Sequence, residues 1–135
     1  MKFKTDIVET RFPDMNITAQ KIATEMDEWL QKNYGIELFL TTTVSTSAED
    51  RELKRISDTH RTRRAFDVRT YDIADHILKD FIDYFNLRYG KLGAVASAIP
   101  QLIVNKPHGS GPHLHIQLNR KYALKEINYG QTSRI

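Results

Sequence analysis

The chain contains no cysteine. That absence excludes disulfide staples and thiolate metal sites, so any bound metal must rest on histidine nitrogens and carboxylate oxygens. Long apolar runs are missing as well. Stretches such as IELFL and GAVASAI fall far short of the roughly 20 residues that span a membrane. The opening residues, MKFKTDIVETRFPD, include basic side chains but neither an apolar core nor a small-residue cleavage site, so no signal peptide is expected and synthesis in the cytosol is. Neither sign of charge dominates. Twenty Lys and Arg against 17 Asp and Glu leave +3, a mild basicity that favours acidic polymers such as nucleic acid or bacterial wall material only weakly. No repeat, linker or low-complexity tract interrupts the chain.

What is present reads as one folded domain over residues 1–135. A hydrophobic share of 40% and a charged share of 27% are ordinary for a globular chain, and a chain near this length buries about two-thirds of its unfolded surface. The run NITAQKIATEMDEWLQKNYG sets Ile17, Ile22, Met26, Trp29 and Leu30 near one helical face, with Asn16 or Thr18 as N-cap and Gly35 as the stop. IELFLTTTV, residues 36–44, is β-branched and aromatic enough for a strand. A short helix opened by Ser47 is expected next, then a strand in RAFDVRT, then a helix capped by Asp72, with Ile73, Ile77, Phe81 and Phe85 on one face and Gly90 at its end. QLIVNK and HLHIQLN are the remaining strands. The predicted class is α+β: a small, largely antiparallel sheet flanked by helices.

Two polar motifs stand out, THRTRRAFDVR and GPHLHIQL. Side chains alternate along a strand, so His113 and His115 share one face while Leu114, Ile116 and Leu118 enter the opposite layer. The same rule puts Ala65, Asp67 and Arg69 on one face and Phe66 and Val68 on the other. His60 lies close enough upstream for a loop to bring it back to Asp67. Two imidazoles and a carboxylate are the ligand set of a catalytic Zn²⁺ with an open fourth position. Plainer readings exist for each part: the His-x-His as a polar stripe, His76 as a surface residue, His108 as a loop residue near the site, the arginine run as a solvated basic loop, and Phe81, Tyr84 and Phe85 as helix core.

These motifs resemble the Ser-x-His-x-x-Gly-x-Ala-x-Asp signature and closing His-x-His of the LAS metallopeptidases, the group of lysostaphin, D-Ala-D-Ala metallopeptidases and sonic hedgehog. The resemblance spans roughly residues 38–118. It implies a hedgehog/DD-peptidase-like fold, Zn²⁺ held by His60, Asp67 and His115, and a catalytic role for His113. It also implies a peptidoglycan stem peptide or cross-link as substrate, as for a phage or bacterial lysin whose site of action is the cell wall. His108 stands where murein endopeptidases carry an extra histidine. Arg63, Arg64 and Arg69, with Arg61 beside them, are expected to bind substrate carboxylates, since guanidinium pairs bidentately with carboxylate. Asp58 stands in place of the family's Ser and Arg63 in place of its Gly. The glycine allows a tight turn, so Arg63 is expected to take a different backbone conformation or to point into solvent. The D-Ala-D-Ala branch uses a catalytic Glu, but no Glu lies between Glu52 and Glu126, which leaves His113 as the expected general base.

Two other classes stay open. HLHIQL followed by Tyr122 and Tyr129 fits an HUH-type single-strand DNA endonuclease, but that reading gives His60 and Asp67 no role, and nucleic acid is not the expected partner. A non-catalytic metal-binding or structural module of the same fold is the other, and the charged replacements at Asp58 and Arg63 favour it.

Overall fold

The computed structural model describes residues 1–93, 103–106 and 112–130. Among these, five strands form one sheet: β1 (Lys2–Phe3), β2 (Phe39–Thr42), β3 (Ala65–Arg69), β4 (Ile103–Lys106) and β5 (His113–Gln117), in the spatial order β1-β2-β3-β5-β4. β1 runs parallel to β2, and the other pairings are antiparallel. Four α-helices accompany the sheet: α1 (Asp6–Arg11), α2 (Ile17–Tyr34), α3 (Ser47–Glu52) and α4 (Asp75–Tyr89). The architecture is α+β with a mixed, largely antiparallel sheet. No helix among the described residues is long and apolar enough to cross a membrane.

Local chemistry sets the boundaries. Asn16 caps α2, its side chain accepting from the Thr18 amide at 2.8 Å. Gly35 ends that helix at φ 66°, a left-handed conformation that costs glycine little. Ile22, Met26 and Leu30 are buried along α2, whereas Ile17 is 62% exposed and belongs to the outer side. Thr46, not Ser47, caps α3, because Thr46 and Glu49 satisfy each other's backbone amides in a capping box. Asp72 does not cap α4. Its carboxylate accepts from Arg69 at 2.6 Å, and the helix starts after Ala74 without a side-chain cap. Gly90 ends α4 as its C-cap, its amide bonded to the Asn86 carbonyl, and a separate 3₁₀ turn at Gly90–Leu92 follows.

The core lies on one face of the sheet. Leu40, Phe66, Val68, Leu114 and Ile116 pack there against Ile22, Met26 and Leu30 of α2 and Phe81 and Phe85 of α4. Each such side chain contributes about 1.5–3 kcal/mol by leaving water. Trp29 closes one edge, stacking on Tyr84 at 5.3 Å and meeting Phe85 edge-on. Alternation then sends the intervening residues of β3 and β5 to the opposite face, where the polar groups collect.

Candidate functional site

β3 and β5 pair so that Asp67 lies directly opposite His115, Ala65 opposite Gln117 and Arg69 opposite His113. Directly opposed side chains stand close enough for contact, and the His115 Nδ1 is 2.8 Å from the Asp67 Oδ1. His60 arrives from the loop before β3. Helical-type turns, with Thr62 N bonded to Asp58 O and Arg63 N to His60 O, fold that loop back until His60 Nε2 is 3.2 Å from Asp67 Oδ2. The two imidazoles meet edge to face with centroids 5.2 Å apart. His60 is 5% exposed and Asp67 7%.

The outer nitrogen of each ring is tied to an oxygen. His60 Nδ1 is 3.0 Å from the buried carbonyl of Thr43, and His115 Nε2 is 3.0 Å from Gln117 Oε1, with Thr59 Oγ1 at 3.4 Å. A carbonyl oxygen only accepts, so it selects the tautomer with N–H on the outside. Both inner nitrogens then present lone pairs to one carboxylate, which is also acceptor-only. Such a cluster is satisfied by a proton on each inner nitrogen or by one divalent cation, and the two alternatives carry the same charge. Burial pushes the Asp67 carboxyl upward, but His60 and His115 outweigh it and hold Asp67 well below the usual carboxylate range. Burial likewise depresses His60, and the facing Asp67 reverses this and lifts it above the ordinary histidine value. One atom from each of the three residues lies within 4.8 Å of the others. Atoms bound at about 2.0–2.2 Å to a common ion are at most roughly 4.4 Å apart, so small rotations suffice to close the set. His60, Asp67 and His115 are therefore the residues that could hold a metal, in the combination read from the sequence.

The remaining expected site residues are placed differently. His113 shares the face of His115 and lines a cleft of about 180 Å³ beside Asp67, together with Lys4, Phe39, Arg69 and Tyr71. Arg69 is the one arginine of the expected group on that cleft. Arg64 is 3% exposed and has its guanidinium bonded to the Leu118 carbonyl and to Asp58, so it is a structural cation. Arg63 departs most from expectation. It adopts the left-handed conformation itself, at φ 65°, and its side chain does not point into solvent but donates to the carbonyls of Asp14 at 2.6 Å and Lys125 at 3.1 Å. The backbone shape that a glycine would take is thus kept by an arginine anchored at both ends of the chain. His108 lies outside the described residues. His76 is exposed on α4. The Tyr129 hydroxyl donates to Asp14 at 2.7 Å, and the Arg11 guanidinium covers its ring, while Tyr122 packs against the core.

Thr43, Thr59, Gln117 and Lys4 were not singled out in the sequence. Gln117 was within reach of the alternation rule, since it follows His115 by one strand period. Thr59 neighbours His60. Lys4 has no local signal at all, because only the parallel pairing of β1 with β2 brings it to the cleft. Comparison with family models, with characterised proteins and with solved structures finds no match to this chain.

Proposed function

We propose that the chain is a zinc peptidase of the LAS type that hydrolyses peptide bonds of peptidoglycan, in a stem peptide or a cross-link, with a hedgehog/DD-peptidase-like version of the α+β fold. The observation that carries this reading is the paired tethering of His60 and His115, whose outer nitrogens meet oxygens while their inner nitrogens face Asp67. Outer-nitrogen hydrogen bonds of this kind orient metal-binding histidines and fix their tautomer. His60, Asp67 and His115 would hold the zinc. When bound, that ion supplies Lewis acidity toward an amide carbonyl and lowers the pKa of water. Asp67 forms part of the cleft wall, so a peptide lying there meets the cluster from its carboxylate side. His113 lines the same cleft, and an imidazole has the ring nitrogens that general acid–base chemistry needs. A ring nitrogen of His113 would accept a proton from water and return it to the leaving amine nitrogen.

The burial of the cluster favours a second reading, a closed structural metal site in a non-catalytic module, since structural sites are closed and catalytic ones keep a position open. Elemental analysis of purified protein, with muropeptide release from isolated sacculi, separates the two. Zinc and cleavage lost together in Asp67→Ala and His115→Ala, with zinc kept and cleavage lost in His113→Ala, support the peptidase. Zinc without cleavage in the parent chain supports the module. Metal kept in Asp67→Ala but lost in His115→Ala would fit the DNA-nicking reading, which rests on the His113 and His115 pair.

A further inference from the structure

An apolar groove of about 370 Å³ lies between α1, the end of β2 and the segment that follows α3, with Ile7, Val8, Val44 and Leu53 along its walls. Its lining has only Thr41 in common with that of the cleft beside Asp67. Ile7 is 58% exposed and Leu53 62%, and Ile56, on the same loop as Leu53, is 99% exposed. Single apolar side chains on a surface are ordinary, but a contiguous group of them marks a contact surface. Ile56 is the extreme case, because almost none of its hydrocarbon is covered by its own chain.

The charges on either side of the groove select the partner. Residues 5–10 carry Asp6 and Glu9 and no base, whereas residues 51–55 carry Arg51, Lys54 and Arg55 against Glu52 alone. Asp6, Glu9, Arg51 and Lys54 are all exposed. The ion pairs at the groove join Arg11 to Glu49 and Arg55 to Asp50, and leave those four out among the described residues. An apolar groove with an acidic rim and a basic rim is complementary to itself: a half-turn sets each acidic rim against the basic rim of a second copy. That second copy also brings an uncovered aliphatic side chain to a groove with room for one.

We infer that the groove is the contact surface of a twofold homodimer, in which Ile56 of each copy enters the groove of the other between Ile7 and Leu53, while Asp6 and Glu9 face Arg51 and Lys54 across the rim. Every contact in such an interface occurs twice, so one substitution acts at two places. The dimer goes beyond the peptidase reading and does not depend on it.

Sedimentation velocity of the whole chain, over a concentration series reaching the near-millimolar range, is the test. The sedimenting mass should rise from the 15.7 kDa of one chain toward twice that value. Ile56→Asp should weaken dimerisation about a hundredfold or more, since two aliphatic side chains lose their cover per dimer. The melting temperature of the dilute protein should stay unchanged, because Ile56 is exposed in the single chain. Glu9→Lys should weaken it about three- to tenfold, and Glu9→Lys combined with Arg51→Glu should recover most of the loss. Leu87→Asp, on α4 and 90% exposed, is the control and should dimerise like the parent. A parent chain that stays single throughout overturns the inference and leaves the groove to a different partner. So does a dimer that Ile56→Asp and Ile7→Asp leave as tight as the parent's, and failure of the exchanged charge pair to recover overturns the half-turn arrangement.

Discussion

The two faces of the β3 and β5 pair bury neighbouring residues by opposite means. On one face Phe66, Val68, Leu114 and Ile116 disappear among the hydrocarbon of α2 and α4. On the other, Asp67 and His60 are almost as inaccessible, yet what surrounds them is a set of charges and hydrogen-bonding atoms. Hydrocarbon burial is non-directional, so a lost methylene is a graded loss. A buried charge is tolerated only while its partners stand in place. One face therefore specifies the fold through many interchangeable contacts, and the other specifies a site through a few that cannot be exchanged.

The largest effect should come from breaking the polar face. Asp67→Ala leaves a buried imidazole, His60, and a half-buried one, His115, without their common partner, and urea unfolding of the metal-free protein should show a loss of about 3–5 kcal/mol together with loss of zinc binding. The matching change on the apolar face, Leu114→Ala, should cost about 2–5 kcal/mol but leave zinc affinity close to the parent value. A titration calorimetry run on both variants checks whether stability and metal binding separate in this way.

Protonation sharpens the same contrast, because the apolar face has nothing to titrate. His60 is raised above its ordinary 6.5, so its contribution to stability in the metal-free protein is fully present below that pH and is lost as pH climbs through the folded value. Asp67 is lowered from 3.8, so its contribution is present above that pH and is lost as pH falls toward the folded value. Melting temperatures across the range should therefore decline on both sides of an interval between about 4 and 6.5. On the proposed reading zinc takes the place of the inner protons, so its stabilising effect should grow on the alkaline side. A zinc-induced shift in melting temperature that is no larger above 6.5 than below it would argue against metal and protons competing for one place.

The smallest expected effect concerns the loop that delivers His60. A left-handed residue other than glycine costs about 1–2 kcal/mol, so Arg63→Gly relieves strain while removing the hydrogen bonds to Asp14 and Lys125. The two nearly cancel, and the net change should be about 1 kcal/mol or less. Arg63→Ala keeps the strain and loses the bonds, so it should be the less stable of the pair in denaturant unfolding.

Much of the polar face was legible in the chain because it depends on short-range rules. Strand alternation placed Asp67 and His115 on one side, and Asn16 and Gly35 marked both ends of α2. Other features depend on distant partners that local pattern does not reveal. Asp72 has the look of a helix cap, but Arg69 takes its carboxylate. Arg64 sits in a basic run that reads as solvated, and the Leu118 carbonyl and Asp58 draw it inside. The conformation of Arg63 follows from acceptors at residues 14 and 125, far apart in sequence. α1 and β1 are too short to show a period, so no local pattern points to Lys4.

The central claim is that His60, Asp67 and His115 form one cation site whose inner atoms take a divalent ion in place of protons. Zinc titration of the parent chain beside His60→Ala, Asp67→Ala and His115→Ala, with proton release measured in buffers of different ionisation enthalpy, tests it most directly. A single zinc per chain, protons released on binding, and loss of that binding in all three variants are expected. Zinc binding that persists when His60 or Asp67 is removed, or that releases no protons, would contradict it.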